Sequence, residues 1–372
     1  MPLTANTANT ANTSVQPVQT ISYLPVVANP VKHKPLQAAE EYGINKVAKT
    51  TAKSFALAIF GGVFISIAFI SCISVTTGAE GAPWGLMRLA GGFSFSFGLI
   101  LVIVCGGELF TSTVLTTVAW AQGLFSLAVL MKCWARIYLG NFIGAFLMVL
   151  LTIMAQMHLL DDGSWGMNAV HMAQSKLHHT WLQTFSLGLL CNLLVCLGIW
   201  MTFTTKDLIA KSVLVILPVA MFICSGFENS IANMFVVPLA IMIRTISPEF
   251  LISHGMLAAD FADLTWTNFI AHNLIPVTLG NVFGGGIFVG LGYWMIERES
   301  KQPDLQFQTS HDSQPINSEI PQNLFPINPA MPLGETPILN TTLNNLTVNG
   351  VMDHMPLVKA AHEYIYQALC LS

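Results

Sequence analysis

Residues 212–243 read SVLVILPVAMFICSGFENSIANMFVVPLAIMI, thirty-two residues with a single charge, Glu228, at the centre. A continuous helix of that length would run about 48 Å, against a bilayer hydrocarbon core of about 30 Å. An interruption removes the mismatch. Gly226 can supply backbone angles that other residues avoid, and Pro218 and Pro238 weaken helical continuity on either side. The stretch reads as one membrane segment broken near its middle, in an all-α membrane protein.

A second break lies upstream, where Gly106-Gly107-Glu108 interrupts the apolar stretch between Leu89 and Met131. It resembles Gly226-Phe227-Glu228. A further echo links Gly140-Asn141-Phe142-Ile143-Gly144 to Gly280-Asn281-Val282-Phe283-Gly284. The first half of the membrane region thus reads as a repeat of the second. Three spans per copy require the second copy to be inserted upside down. Inverted repeats with broken helices are a transporter signature and put the substrate path at the breaks. The Gly-x-x-x-Gly pairs have a plainer reading as helix-packing glue. The glutamates are costlier, at about 2.5–3.5 kcal/mol for a carboxylate at helix centre. They either line the path or accept hydrogen bonds from the ends of the broken helices, and the second role suits an anion path better.

Uncharged runs set the span count. Ser54–Ala79, Leu89–Gly107 with Leu109–Met131, Ile137–Leu160, Leu177–Thr205, Ser212–Phe227 with Asn229–Ile243, and Leu264–Ile296 make six segments, the second and fifth broken. Lys32, Lys34, Lys46, Lys49, Lys53, Lys132, Arg136, Lys206, Lys211, Arg298 and Lys301 fall on one side. Arg88, Lys176 and Arg244 fall on the other. The positive-inside rule puts both termini in the cytoplasm. Composition agrees: 53% of residues are hydrophobic and only 9% charged, too few to coat a soluble surface. The net charge of −4 excludes a nucleic-acid binder.

The expected organisation is a disordered tail over 1–34, an amphipathic cytoplasmic helix over 35–53, a six-helix transmembrane domain over 54–298, and a mostly disordered cytoplasmic tail over 299–372, with a short helix at 353–370. The seven cysteines contain no CxxC pair and read as packing residues rather than a metal site.

Three strings carry a family resemblance. Cys105-Gly106-Gly107-Glu108-Leu109-Phe110-Thr111-Ser112-Thr113-Val114 resembles the signature of the formate–nitrite transporter family. So do Gly226-Phe227-Glu228-Asn229-Ser230-Ile231-Ala232-Asn233-Met234-Phe235 and Asn273-Leu274-Ile275-Pro276-Val277-Thr278-Leu279-Gly280-Asn281. The resemblance runs from about Pro35 to Arg298 and is closest to bacterial formate channels. It implies an aquaporin-like protomer in a homopentamer, each protomer with its own pore, in the lipid of the bacterial inner membrane. The cargo would be formate or another small monovalent anion, such as nitrite, or its conjugate acid, carried in proton symport. It implies no enzyme activity and no cofactor. A formate-producing glycyl-radical enzyme is a partner the family suggests for the cytoplasmic N-terminus.

By the same resemblance, Thr111, Lys176, Asn192, Glu228, Asn229 and Asn281 line the substrate pathway. Phe95 and Leu99 would narrow the cytoplasmic side, Leu109 and Phe222 the periplasmic side, and Leu109-Phe110-Thr111 would be the mobile element. Ordinary helix packing is the plainer reading of the apolar four, and a solvated loop charge that of Lys176. The family usually has histidine where this chain has Asn229. An amide cannot exchange a proton near neutral pH as histidine can. The surviving mechanism is that Lys176 and the half-helix ends draw in the anion, its pKa rises as water is stripped away, and it crosses as the acid. A neutral-solute channel would need NPA-like motifs, and an intramembrane enzyme HExxH or GxSxG; neither occurs.

Overall fold

The computed structural model describes residues 35–79 and 81–299. The expected tails and the 353–370 helix lie outside them. Every regular element among the described residues is helical. In chain order they are α1 (Pro35–Ala48), α2 (Thr51–Thr76), α3 (Trp84–Val104), α4 (Phe110–Thr113), α5 (Thr117–Ala121), α6 (Leu127–Met154), α7 (Ser164–Leu177), α8 (Trp181–Thr202), α9 (Leu208–Cys224), α10 (Ser230–Ile246) and α11 (Pro248–Ser253). The last stretch alternates α12 (Trp266–Asn268), a π-helical turn, α13 (Ile275–Asn281), a longer π-helical run over Val282–Leu291, and α14 (Gly292–Glu299). Among the described residues, five helical stretches are long and apolar enough to cross a membrane: Thr51–Thr76, Trp84–Val104, Leu127–Met154, Trp181–Thr202 and Ala259–Glu297. α9 and α10 are shorter apolar helices. Both keep their prolines, Pro218 and Pro238, inside the helix. The chain leaves helical geometry at Ser225–Asn229 instead.

α2 sets the vertical scale. Its twenty-six residues span about 39 Å. α1 leads into its first turn, where the Thr50 hydroxyl caps the Lys53 amide. α7 closes its other end: Asn168 donates to the Ile73 carbonyl and to Thr76, and the Trp165 indole donates to Ser74. α1 and α7 therefore sit at opposite ends of one membrane-length helix. The Gly-x-x-x-Gly pairs serve packing. A Cβ on Gly144 would run into the Ile59 carbonyl of α2, and one on Gly284 into the Leu189 carbonyl of α8. Close backbone approach is the use such pairs have in membranes.

The loop before α7 is clasped by a histidine. His254, just after α11, points Nδ1 at the Phe250 carbonyl and Nε2 at the Asp162 carbonyl, both at 2.8 Å. Two carbonyl acceptors are satisfied together only by an imidazolium, whose two nitrogens both donate. The Asp162 and Phe250 hydrogen bonds raise the His254 pKa above the ordinary histidine value. The clasp therefore contributes its full stability below the unfolded pKa and loses it as pH rises through the folded one. Thermal unfolding of His254→Gln should match the native chain at alkaline pH and fall below it at acid pH. Parallel curves across pH would show that the clasp is inert.

Candidate functional site

The two breaks are built alike. α3 is capped at its C-terminus by Cys105 and Gly106 takes φ +79°; α9 is capped by Ser225 and Gly226 takes φ +75°. That left-handed turn favours glycine and is a common helix stop. The Glu108 amide then donates to the Leu57 carbonyl of α2 at 2.9 Å, and the Glu228 amide to the Leu187 carbonyl of α8 at 3.2 Å. An asparagine braces each restart. Asn141 of α6 accepts the Phe110 amide at 2.9 Å and donates to the Ala58 and Glu108 carbonyls, both at 2.7 Å. Asn281 of α13 accepts the Ser230 amide at 2.9 Å and donates to the Gly188 carbonyl at 2.8 Å and the Glu228 carbonyl at 3.0 Å. A break inside an apolar bundle strands backbone groups that no water reaches. These two side chains satisfy them.

The glutamates are buried, Glu108 at 1% exposure and Glu228 at 2%. Their carboxylates meet lysines rather than the broken helix ends. Glu108 is paired with Lys46 of α1 and with Lys49 at 2.5 Å. Glu228 takes both oxygens to the Lys176 ammonium at 3.0 Å and accepts from Asn233, which also donates to Asn273. Lys46 and Lys176 each stand in the last turn of a fourteen-residue helix, α1 and α7. Burial pulls the Lys46 pKa down, but Tyr42 and Glu108 outweigh it and leave it above the ordinary lysine value. Burial also raises the Tyr42 phenol; its hydroxyl donates to Ser112 at 3.1 Å.

Each pair opens on a cavity. The one on the α7 side, about 410 Å³, is lined by Phe69, Trp84, Arg88, Lys176, Glu228 and neighbours. The one on the α1 side, about 250 Å³, is lined by Tyr42, Lys46, Lys49, Val102, Glu108, Lys211 and neighbours. α3 and α9 run antiparallel between them: Trp84 and Gly226 line the first cavity, Gly106 and Lys211 the second. Arg88 fixes that register. Its guanidinium donates to the Cys224 carbonyl at 2.7 Å and the Ile223 carbonyl at 3.0 Å, which the end of α9 leaves open.

The contacts bring together two apolar residues, Phe95 and Phe222, that were expected on opposite sides. Phe95 lies edge-to-face against Phe222, ring centres 5.8 Å apart, and Phe69 of the α7-side cavity packs edge-on against Phe95. Phe95 and Phe222 thus share one level. Leu99 precedes Val102 by one turn and Leu109 adjoins Glu108, and Val102 and Glu108 line the α1-side cavity. In antiparallel helices, residues at equal depth lie at unequal distances from their breaks. Phe110 lines neither cavity; its ring sits 4.8 Å from Tyr138 and 6.1 Å from Trp134 of α6. The segment expected to be mobile begins a buried helix at Phe110.

Between the cavities, Asn192 donates to the Thr111 carbonyl at 3.0 Å and the Asn281 carbonyl at 2.6 Å. The Asn192 carbonyl oxygen and the Thr111 hydroxyl are both buried without a protein partner. Buried polar atoms are nearly always bonded, so these two have hydrogen-bonding capacity left over. Asn229 caps α10, its Oδ1 accepting the Ile231 amide at 3.0 Å and the Ala232 amide at 3.3 Å. Sequence reasoning missed the Lys46–Lys49–Glu108 cluster, the Arg88 cap and the Asn141 brace. A basic residue closing each fourteen-residue helix was the available signal for the first. The arrangement can attract an anion at either mouth, strip its water between apolar side chains, and offer hydrogen bonds in the middle.

Residues 33–295 match the family described as Formate/nitrite transporter. The formate channel FocA of Escherichia coli (strain K12) is 49% identical over 261 residues, which is 70% of this chain and 92% of that protein. The formate channel FocA of Haemophilus influenzae is 40% identical over 254 residues, covering 68% and 89% respectively. Among solved structures, a pentameric formate channel with formate bound shares 51% identity at a TM-score of 0.64, covering 67% of this chain and 98% of that one.

Proposed function

The chain belongs to the formate/nitrite transporter family, and on that premise we propose that it conducts formate across the bacterial inner membrane. The carrying observation is the buried Lys176–Glu228 pair in the wall of the α7-side cavity, where Phe69 of the same wall packs on Phe95 and Phe95 on Phe222. The six spans are α2, α3 with α4–α5, α6, α8, α9 with α10, and the stretch ending in α14. The second and fifth are broken, and the two halves form inverted three-helix repeats. The matching braces of Asn141 and Asn281, and the placement of α1 and α7 at opposite ends of α2, support that reading. Five protomers assemble, as in the solved pentameric relative, and each carries its own pore. Both termini are cytoplasmic, so the Lys176 cavity faces the periplasm and the Lys46 cavity the cytoplasm.

Formate entering from the periplasm is drawn by Lys176, whose ammonium Glu228 holds in place. Passing Phe95 and Phe222 removes its water, and burial without a partner favours the neutral acid. The Thr111 hydroxyl and the Asn192 carbonyl oxygen then bond the acid, and Leu99 and Leu109 form the second narrowing. Asn281 acts through the scaffold, since its amide is spent on backbone groups. Asn229 spends its carbonyl oxygen on the α10 cap, and its side chain also meets the Cys191 thiol. It cannot relay a proton, so substrate protonation draws on the vestibule. Nitrite, equally small and planar, is the competing cargo within the same pathway.

Formate flux into proteoliposomes tests the reading. The native chain should carry formate, and Asn229→His should shift the pH profile of that flux. Absence of formate flux in the native chain would refute the function. Coincident profiles would show that this position does not set the coupling.

A further inference from the structure

The likeness between the two breaks fails at one pair of positions. The Glu108 amide meets the Leu57 carbonyl of α2, and the Glu228 amide the Leu187 carbonyl of α8. Five residues further along those helices stand Gly62 and Asn192. Asn141 and Asn281 brace the two restarts, and four residues beyond them stand Ala145 and Gly285. The contacts of Gly144 with Ile59 and of Gly284 with Leu189 keep the same register. One break therefore sets a bare position on α2 beside a methyl on α6. The other sets an asparagine on α8 beside a bare position in the π-helical run. A Cβ on Gly62 would run into the Asn141 carbonyl, which leaves no room for a side chain there. A Cβ on Gly285 would run into the Asn192 amide nitrogen, the Cys196 sulfur and the Val114 side chain.

We propose that Gly285 is a positioning residue for Asn192, its missing side chain aiming the Asn192 carbonyl oxygen at the passing acid. This rests on the transport reading above. The Asn192 nitrogen reaches the Thr111 and Asn281 carbonyls because nothing fills position 285. Both partners are acceptors, so the arm of the amide that lies on them is the donor arm. The oxygen is left on the other arm, buried and without a protein partner. A bare acceptor suits a guest that brings its own proton. Formic acid has an O–H to donate, whereas the formate ion offers acceptors alone.

The test is a cycle of full-length chains in proteoliposomes: native, Gly285→Ala, Asn192→Ala and the double variant. Each single change should lower formate flux by about tenfold, the upper worth of one neutral hydrogen bond. The double variant should fall no further than Asn192→Ala alone, because the new methyl then strikes no amide. Where Gly285→Ala does not assemble as the native oligomer on size exclusion, the double variant should. Gly285→Ala/Asn192→Ser keeps an acceptor oxygen without the amide nitrogen, and should carry severalfold more formate than the alanine double. Native flux in Gly285→Ala, a further loss of about tenfold in the alanine double, its failure to assemble, or equal flux from the serine and alanine doubles overturns the proposal. Absence of formate flux in the native chain would instead remove the transport reading on which it stands.

Discussion

Lys176→Met will depress formate flux by about a hundredfold or more, and will destabilise the fold as well. Glu228 is 2% exposed, and the lysine is its one cationic partner among the described residues. Breaking a buried ion pair from one side costs about 3–5 kcal/mol, because the remaining charge is left without compensation. The two losses separate in the double variant Lys176→Met/Glu228→Gln. With the stranded charge removed, the melting temperature should recover. Flux should not, since the cavity then offers no ammonium to draw an anion. Initial rates of labelled formate uptake beside thermal unfolding in detergent read both quantities. Native flux in either variant would show that the pair is scaffold only.

Asn281→Leu should cost more than its single position suggests. Leucine keeps the heavy-atom count and branching of asparagine, and its bulkier methyl groups add overpacking to the lost hydrogen bonds. The Ser230 amide and the Glu228 carbonyl lie at the break and have no helical ladder to rejoin. A buried backbone group left without a partner costs about 1–3 kcal/mol, so the pair gives about 2–6 kcal/mol. The expected result is a large fall in melting temperature or loss of the folded oligomer on size exclusion. Asn141→Leu should do the same at the other break, where the Phe110 amide and the Glu108 carbonyl are stranded. A native melting temperature in either variant would mean that the braces are dispensable.

Much of the fold was legible because membrane segments announce themselves by length and charge. The run from Ser212 to Ile243 is too long for one straight span, and the chain does leave helical geometry at Gly226-Phe227-Glu228. The echo between Gly140–Gly144 and Gly280–Gly284 was also readable, and both pairs lie against a neighbouring helix backbone. Three things were not legible. The partners of Glu108 lie on a polar helix sixty-odd residues upstream, and hydropathy assigns such a helix to the membrane surface. The pairing of Phe95 with Phe222 depends on antiparallel register between α3 and α9, which residue spacing within each helix does not carry. The place of Asn281 is ambiguous in sequence, since an asparagine beside a glycine pair serves equally as pore lining or as a backbone brace. The three bonds of its side chain all go to main-chain atoms.

The lysines are shared unequally between the two carboxylates. The α1-side lining carries Lys46, Lys49 and Lys211 against Glu108, while the α7-side lining carries Lys176 and Arg88 against Glu228. The two mouths therefore rest at different electrostatic potentials before any voltage is applied. The α1-side mouth, with one cation more than the α7-side mouth, holds an approaching anion more strongly before any water is stripped from it.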